Sequence, residues 1–275
     1  RDLRMSRGLG DVYKRQAFRG YGAPQSFMGG DIAMDVMAEK MGIDPFEFRA
    51  MNCYKESAES TTPTGCKPDV YCLEDLFNLA RPYYHKNKEY AEKLNAEQGE
   101  NGKYKFGAGV SLGVYGCGLD GVDSSEAWAE LNPDHTVTIY DSWEDHGQGA
   151  DIGTLTHAHE TLRQAGFTPE EIKLVMNDTG LTPNSGPAGG SRSNVMTGNA
   201  VRVACEMLIN AMRKADGTFR TYEEMVEEKL PLKYQGKWVA TACTDCDMET
   251  AQGNPFSVYM YCINPVSYTH LRAHE

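Results

Sequence analysis

GPAGGSRSNVMTGNAVRVACEMLINAM, residues 186–212, joins a glycine-rich turn to the clearest helical pattern in the chain. Val201, Ala204, Cys205, Leu208, Ile209 and Met212 recur at three- and four-residue steps, the spacing of one buried helical face. Upstream, Ile172 to Met176 is a short apolar run of strand length. The local order is strand, glycine turn, helix, and it recurs. His146-Gly147-Gln148-Gly149 follows a predicted strand, Thr136 to Trp143, and precedes a helix whose predicted face is Ile152, Leu155, His159 and Leu162. Arg19-Gly20-Tyr21-Gly22-Ala23-Pro24 precedes a third helix, Gln25 to Met41, with Ile32–Val36 and Ala33–Met37–Met41 at helical spacing and Gly42 as its stop. The fold class is α+β.

The remaining elements follow from punctuation. Asp44-Pro45 supplies an N-cap and a first-turn proline for a short helix through Asn52. Residues 55–72 are loop-like, Leu73 to Lys93 is predicted helical with a break near Pro82, and Asn95 to Lys105 is the best internal linker. Phe106 to Tyr115 and Ser125 to Leu131 are predicted strands, with a hairpin turn at residues 132–135. A partly helical stretch, 221–229, leads to a final strand around Phe256 to Tyr261, and Trp128 and Trp143 are expected in the core.

Lys plus Arg total 27 against 39 acids, a formal charge of −12, which argues against nucleic acid or an anionic membrane as partner. Mean hydropathy is −0.53 and no apolar run approaches the roughly 18–20 residues of a bilayer span, so no membrane partner is expected. The basic N-terminus has no apolar stretch behind it and is not read as a signal peptide. Eight cysteines in a chain of this length, without a leader, are read as unpaired thiols in a reducing compartment, the cytoplasm. Cys243-Thr-Asp-Cys246 lacks the second pair that a zinc ribbon needs, and His157 and His159 cannot share a helical face, so no protein metal ligands are assigned.

Glycine at a helix start lets backbone approach a ligand and points free N–H groups at it, where the helix dipole favours an oxyanion. Three such loops, two containing Arg and one containing His and Gln, leave two readings: a phosphate-bearing ligand, or plain turns. None completes a G-x-G-x-x-G fingerprint or a P-loop, which excludes NAD or ATP held in the usual way.

Longer matches decide between them. AFRGYGAPQ (17–25) resembles the AFRG(F/Y)G-x-PQ segment of the molybdenum hydroxylases, the xanthine oxidase family. DVMAEKMGIDPFEFRAMN (35–52) resembles that family's GIDPxExRxxN helix, EDHGQG (144–149) its E-x-GQG loop, and residues 183–200 its third cofactor loop. GVYGCGLDG, SSEAWAEL, WEDHGQGADIG and TPNSGPAGGSR are similar to the bacterial aldehyde oxidoreductase branch, which carries molybdopterin cytosine dinucleotide. The resemblance implies that Phe18, Arg19, Gly20 and Tyr21 line the cofactor and the substrate funnel. It places His146, Gly147 and Gln148 against the pterin–phosphate region or the molybdenum oxygens, and wraps Gly189, Gly190, Ser191 and Arg192 around the cofactor near the metal. Molybdenum is held by the cofactor's dithiolene sulfurs, so the chain need not ligate it.

The implied reaction converts an aldehyde and water to a carboxylic acid, with two electrons passing to molybdenum. The family's base is a glutamate in a GxGE motif, which this chain lacks, so no catalytic residue is assigned; Glu144 and Asp145 are expected to be hydrogen-bonded or solvated carboxylates. Iron–sulfur domains or subunits would be partners, alongside the aldehyde substrate and a possible homodimer. A purine or N-heterocycle hydroxylase, or a non-catalytic ligand- or partner-binding module, are the alternatives.

Residues 1–16 and about 265–275 show no convincing period and resemble translated sequencing-adapter tails, so both are expected to be non-native. The expected organisation is a fragment spanning parts of two elongated mixed α/β molybdopterin-binding domains. Residues 17–94 would end the first, 95–105 would link, and 106–264 would begin the second. The isolated piece is expected to be inactive.

Overall fold

The computed structural model describes residues 20, 22–57, 61–62, 64–67, 70–119 and 121–271. Phe18, Arg19 and Tyr21 lie outside them. The chain divides into two compact units: residues 1–60, 70–115 and 260–275, and residues 61–69 and 116–259.

The described residues of the first unit hold three helices and a two-stranded ribbon. Helix α1, Ala23–Met41, starts two residues earlier than the pattern predicts, behind Gly22 in left-handed conformation. Its apolar stripe is not a core face: Ile32 is 55% exposed and Met41 63%, while Ala38 is buried. Helix α2, Pro45–Met51, begins as expected, with the Asp44 carboxylate accepting from the Phe46 amide at 2.9 Å. Helix α3, Leu73–Gln98, runs straight through Pro82 and into the stretch expected to be linker. A mid-helix proline costs about 3 kcal/mol. Here the buried row Leu73, Phe77, Ala80, Tyr84 and Ala91 outweighs it, and Phe46 stacks on Tyr84 with ring centroids 4.9 Å apart. At the far end of α3, Asn95 both donates to and accepts from the backbone of Phe106 (2.7 and 2.9 Å), which stitches the helix to strand β1, Tyr104–Cys117.

Strand β1 pairs with a long strand near the C-terminus, Val258–Leu271 (numbered β6 below), which continues well past the predicted end at Tyr261 and past residue 264. Gly107, Gly109 and Gly113 of β1 face Tyr268, Val266 and Cys262, an antiparallel progression in which glycines make room for the opposing side chains.

The second unit is a four-stranded mixed sheet with helices on one face. Its strands are β2 (Ser124–Leu131), β3 (Val137–Asp141), β4 (Ile172–Met176) and β5 (Lys233–Val239), in the spatial order β4-β3-β2-β5. Strand β2 is antiparallel to β3 and β5, and β3 is parallel to β4. Parallel neighbours need a crossover, supplied here by α4, Ala150–Leu162. The long helix α5, Ser193–Met212, follows β4, and α6, Tyr222–Glu227, leads into β5 and finally β6.

Strand β5 is not legible from hydropathy. Its exposed positions carry Lys233, Gln235 and Lys237, and its inward position opposite Ala127 is Gly236. The reason is the close seating of α5: a Cβ on Gly236 would collide with the Ala200 carbonyl and the Ala204 amide of that helix. Ala127, Ala129, Ala200 and Ala204 complete this small-residue seam, and Val201, Leu208, Ile139, Leu162 and Met225 fill the core around it. On α4 the buried row is Ala150, Thr154, Ala158, Thr161 and Leu162; of the predicted face, Leu162 is buried and Leu155 packs against the core, but Ile152 is 66% exposed. Trp143 is buried as expected, whereas Trp128 is only half-buried, on the other side of the sheet, where Lys233 lies over its ring and that of Tyr140. Among the described residues no helix is long and apolar enough to cross a membrane.

Gly236→Ala should therefore lower the stability of this chain by about 3 kcal/mol, because the obstacle is helix backbone that cannot rotate away. Urea denaturation of the purified chain would measure it; a loss within error of zero would mean that α5 is not seated as described.

Candidate cofactor-binding site

Topology explains why two of the three glycine loops meet. Strands β3 and β4 are parallel neighbours, so the segments leaving their carboxyl ends emerge side by side. One is residues 142–149, between β3 and α4; the other is residues 177–192, between β4 and α5. The first loop, around Gly20, belongs to the other compact unit.

The two neighbouring loops are joined at their roots by a reciprocal serine pair. The Ser142 amide donates to Ser185 Oγ, and the Ser185 amide donates to Ser142 Oγ, each at 2.9 Å. Ser185, fully buried, then donates its hydroxyl to the Glu126 carbonyl of β2 at 2.8 Å. Asp141, also fully buried, accepts from the Trp143 amide (2.8 Å) and from the Thr154 hydroxyl of α4 (2.9 Å). Burial pushes its carboxyl above the ordinary range, and these two donors partly offset that.

Loop 144–149 is shaped by its own side chains. Asp145 Oδ1 accepts from the Gly147 amide at 2.6 Å and Oδ2 from the Ala150 amide at 2.8 Å. Gln148 Oε1 accepts from the His146 amide (2.6 Å), and its Nε2 donates to the Glu144 carbonyl (2.7 Å). The backbone donors that a glycine loop at a helix start would present to an anion are thus partly occupied by the loop's own acceptors. Asp145 sits in the electropositive end of α4, and the amides it accepts from hold its carboxyl below the usual range. The loop is nevertheless open to a ligand from outside: Gly149 adopts φ 81°, and nothing lies within 4 Å of a Cβ position on Gly147 or Gly149. Residues 145–148 are exposed.

In the second loop, the Arg192 side chain is committed inside the protein. It is fully buried, and all five guanidinium donors are taken. Two bonds reach the Asp123 carboxylate (Nε 2.6 Å, Nη2 2.9 Å), and the rest go to the carbonyls of Ser124 (2.6 Å), Ser185 (2.8 Å) and Pro187 (3.1 Å). Arg192 thus builds the turn from inside. Gly189, Gly190 and Ser191 ride on it: the Gly189 carbonyl accepts from the Arg192 amide, and the Gly190 carbonyl accepts from Gly118 at 2.9 Å. Ser191 is exposed at φ 56°. A Cβ on Gly190 would meet the Gly118 carbonyl, so no larger residue fits. Sequence reasoning missed Asp123, Asp141, Ser142 and Ser185; the signal available was an acid just before β2 and small polar residues at strand ends.

Of the residues expected to hold a cofactor, His146, Gly147, Gln148, Gly189, Gly190, Ser191 and Arg192 stand on these two adjoining loops, and Gly20 stands before α1. Among the described residues, no group of three or more His, Cys, Asp and Glu side chains could hold a metal ion, and the eight cysteines are separate thiols. Open glycine backbone on a rigid base fits a large, hydrogen-bonding cofactor that brings its own metal ligands.

Residues 79–267 match the molybdopterin cofactor-binding domain, and residues 9–53 match a second family model of the same description. The chain therefore belongs to the molybdopterin cofactor-binding domain family. Its relatives narrow the class: over 245 residues it is 51% identical to the aldehyde oxidoreductase of Megalodesulfovibrio gigas, covering 89% of this chain and 26% of that protein. The crystal structure of the aldehyde oxidoreductase from Desulfovibrio desulfuricans superposes with a TM-score of 0.84 at 55% identity, over 92% of this chain and 27% of that one. Xanthine dehydrogenase/oxidase of Gallus gallus is 24% identical over 265 residues, 89% of this chain and 18% of that protein. The chain spans about a quarter of the aldehyde oxidoreductases it matches.

Two outcomes follow. Asp123→Ala leaves a buried guanidinium without its carboxylate and should lower stability by about 3–5 kcal/mol in urea denaturation. Asp145 works the other way round with pH. Its folded pKa is depressed, so the stabilisation is present above the ordinary carboxylate range and is lost as pH falls through the folded value. NMR should show the Gly147 amide of the native chain keeping its protection through the ordinary carboxylate range and losing it only at more acid pH, and Asp145→Asn should remove that acid dependence.

Proposed function

We propose that this chain is the central cofactor-holding portion of an enzyme that oxidises aldehydes to carboxylic acids with water as oxygen source. The observation that carries the reading is the contrast in similarity: 51% identity to an aldehyde oxidoreductase against 24% to a xanthine dehydrogenase/oxidase, over comparable spans. The cofactor is molybdopterin cytosine dinucleotide, and when bound it supplies the two-electron redox chemistry.

The chain's own residues bind and orient. Gly147 and Gly149 let the cofactor approach backbone closely, with His146 and Gln148 flanking them. Gly189, Gly190 and Ser191 present the second loop, and Arg192 holds it in shape from beneath. Phe18, Arg19, Gly20 and Tyr21 contribute the first loop. Because Arg192 is neutralised by Asp123, it brings no free charge to the cofactor's phosphates, which Arg19 and backbone amides face instead. The carboxylates here are engaged locally: Asp145 with amides of its own loop, Asp178 with the Gly180 amide, Glu144 with the Ala188 amide, and Asp141, at the end of β3, is buried, so none is assigned as the general base. The base is supplied by a glutamate in another part of the enzyme, and iron–sulfur domains or subunits carry the electrons away. The protein works in the cytoplasm, with a homodimer as its assembly. Residues 17–94 and 106–264 contribute to two successive cofactor-binding domains, and residues 1–16 and 265–275 are not native to them.

The test is a chimaera in which residues 17–261 replace the matching segment of the M. gigas aldehyde oxidoreductase. It should retain aldehyde-dependent dye reduction, while the 275-residue chain alone should show none. A folded, molybdenum-loaded chimaera that oxidised purines and not aldehydes would overturn the reading.

A further inference from the structure

We propose that Glu144 is a positioning residue that locks the two adjoining loops into one cradle, so that neither can shift without the other. The inference rests on the cofactor-binding reading of these loops. Its side chain leaves loop 144–149 and accepts, through Oε2, the Ala188 amide of loop 177–192 at 2.8 Å. The roots of the two loops are already fixed by the Ser142–Ser185 pair, and the base of the second loop by Arg192. Ala188 lies beyond those anchors, between Pro187, whose carbonyl Arg192 holds, and the Gly189–Gly190 pair.

The geometry assigns Glu144 a connecting role because each end of the bond is part of a rigid assembly. On its own side, the Glu144 carbonyl accepts from Gln148 Nε2, so the loop that carries the carboxylate is closed by its own glutamine. On the far side, Ala188 is bracketed by the Gly186 amide bond to Asn184 Oδ1 (2.9 Å) and the Gly189 amide bond to the Pro187 carbonyl (3.0 Å). An amide–carboxylate bond is charge-assisted and about twice as strong as a neutral one, and half-burial of both partners limits competition from water.

Two substitutions separate positioning from general stability. Glu144→Ala removes the acceptor; Glu144→Gln keeps an oxygen that can accept the same amide. In the 275-residue chain, hydrogen exchange at Ala188 should quicken about tenfold in Glu144→Ala, with the urea midpoint close to native, and should return toward native in Glu144→Gln. In the chimaera, Glu144→Ala should lose most of its bound molybdenum on gel filtration, and Glu144→Gln should keep it. Unchanged exchange at Ala188 in Glu144→Ala overturns the proposal. So does full molybdenum retention in that variant despite faster exchange. A chimaera with native Glu144 that held no molybdenum would instead overturn the cofactor reading together with the role built on it.

Discussion

A single buried guanidinium organises the loop region. Arg192 has no contact with water, and each of its donors ends on an atom of this chain: the Asp123 carboxylate ahead of β2, the first carbonyl of that strand, and two carbonyls of the turn that it follows. Burying an unpaired charge would cost several kcal/mol, so these partners must all be present at once. That requirement fixes the distance between the start of β2 and the turn before α5. The serine pair and the Glu144 bond then register the neighbouring loop against the same frame.

Electrostatics in the region differ from what charge composition implies. An acidic chain that binds a phosphate-bearing group would be expected to face it with arginine, and both glycine loops carrying Arg suggested as much. Instead the arginine is internal and the exposed loop is shaped by carboxylates and a glutamine bonded to its own amides. Recognition then depends on backbone geometry, with side chains fixing that geometry from behind.

The sequence carried the helices, the β2–β3 hairpin and the glycine loops, because those depend on local period and local turn chemistry. Asp44 capping α2 and the α5 repeat are signals a few residues long. What it hid is long-range. The proline in α3 looked like a break because the aromatic packing that overrides it comes from Phe46, on another helix. The β5 strand was invisible because its inward residue is a glycine selected by the approach of α5, with lysines on the other face. Apart from Leu162, the buried row of α4 is alanine and threonine, too small to register as hydrophobic, while Ile152 points outward. Nothing local to Arg192 pointed to its partner, because Asp123 lies 69 residues away.

The seam between α5 and the sheet bears on how this segment can change over generations. Where Gly236, Ala127, Ala200 and Ala204 meet, helix and strand touch through backbone, and tolerance there is governed by volume rather than polarity. Substitutions will be confined to the smallest side chains, whereas exposed loop positions outside Arg192, the serine pair, Glu144 and Gly190 face no such limit. A lineage could therefore alter what its loops present while the platform beneath them stays nearly frozen.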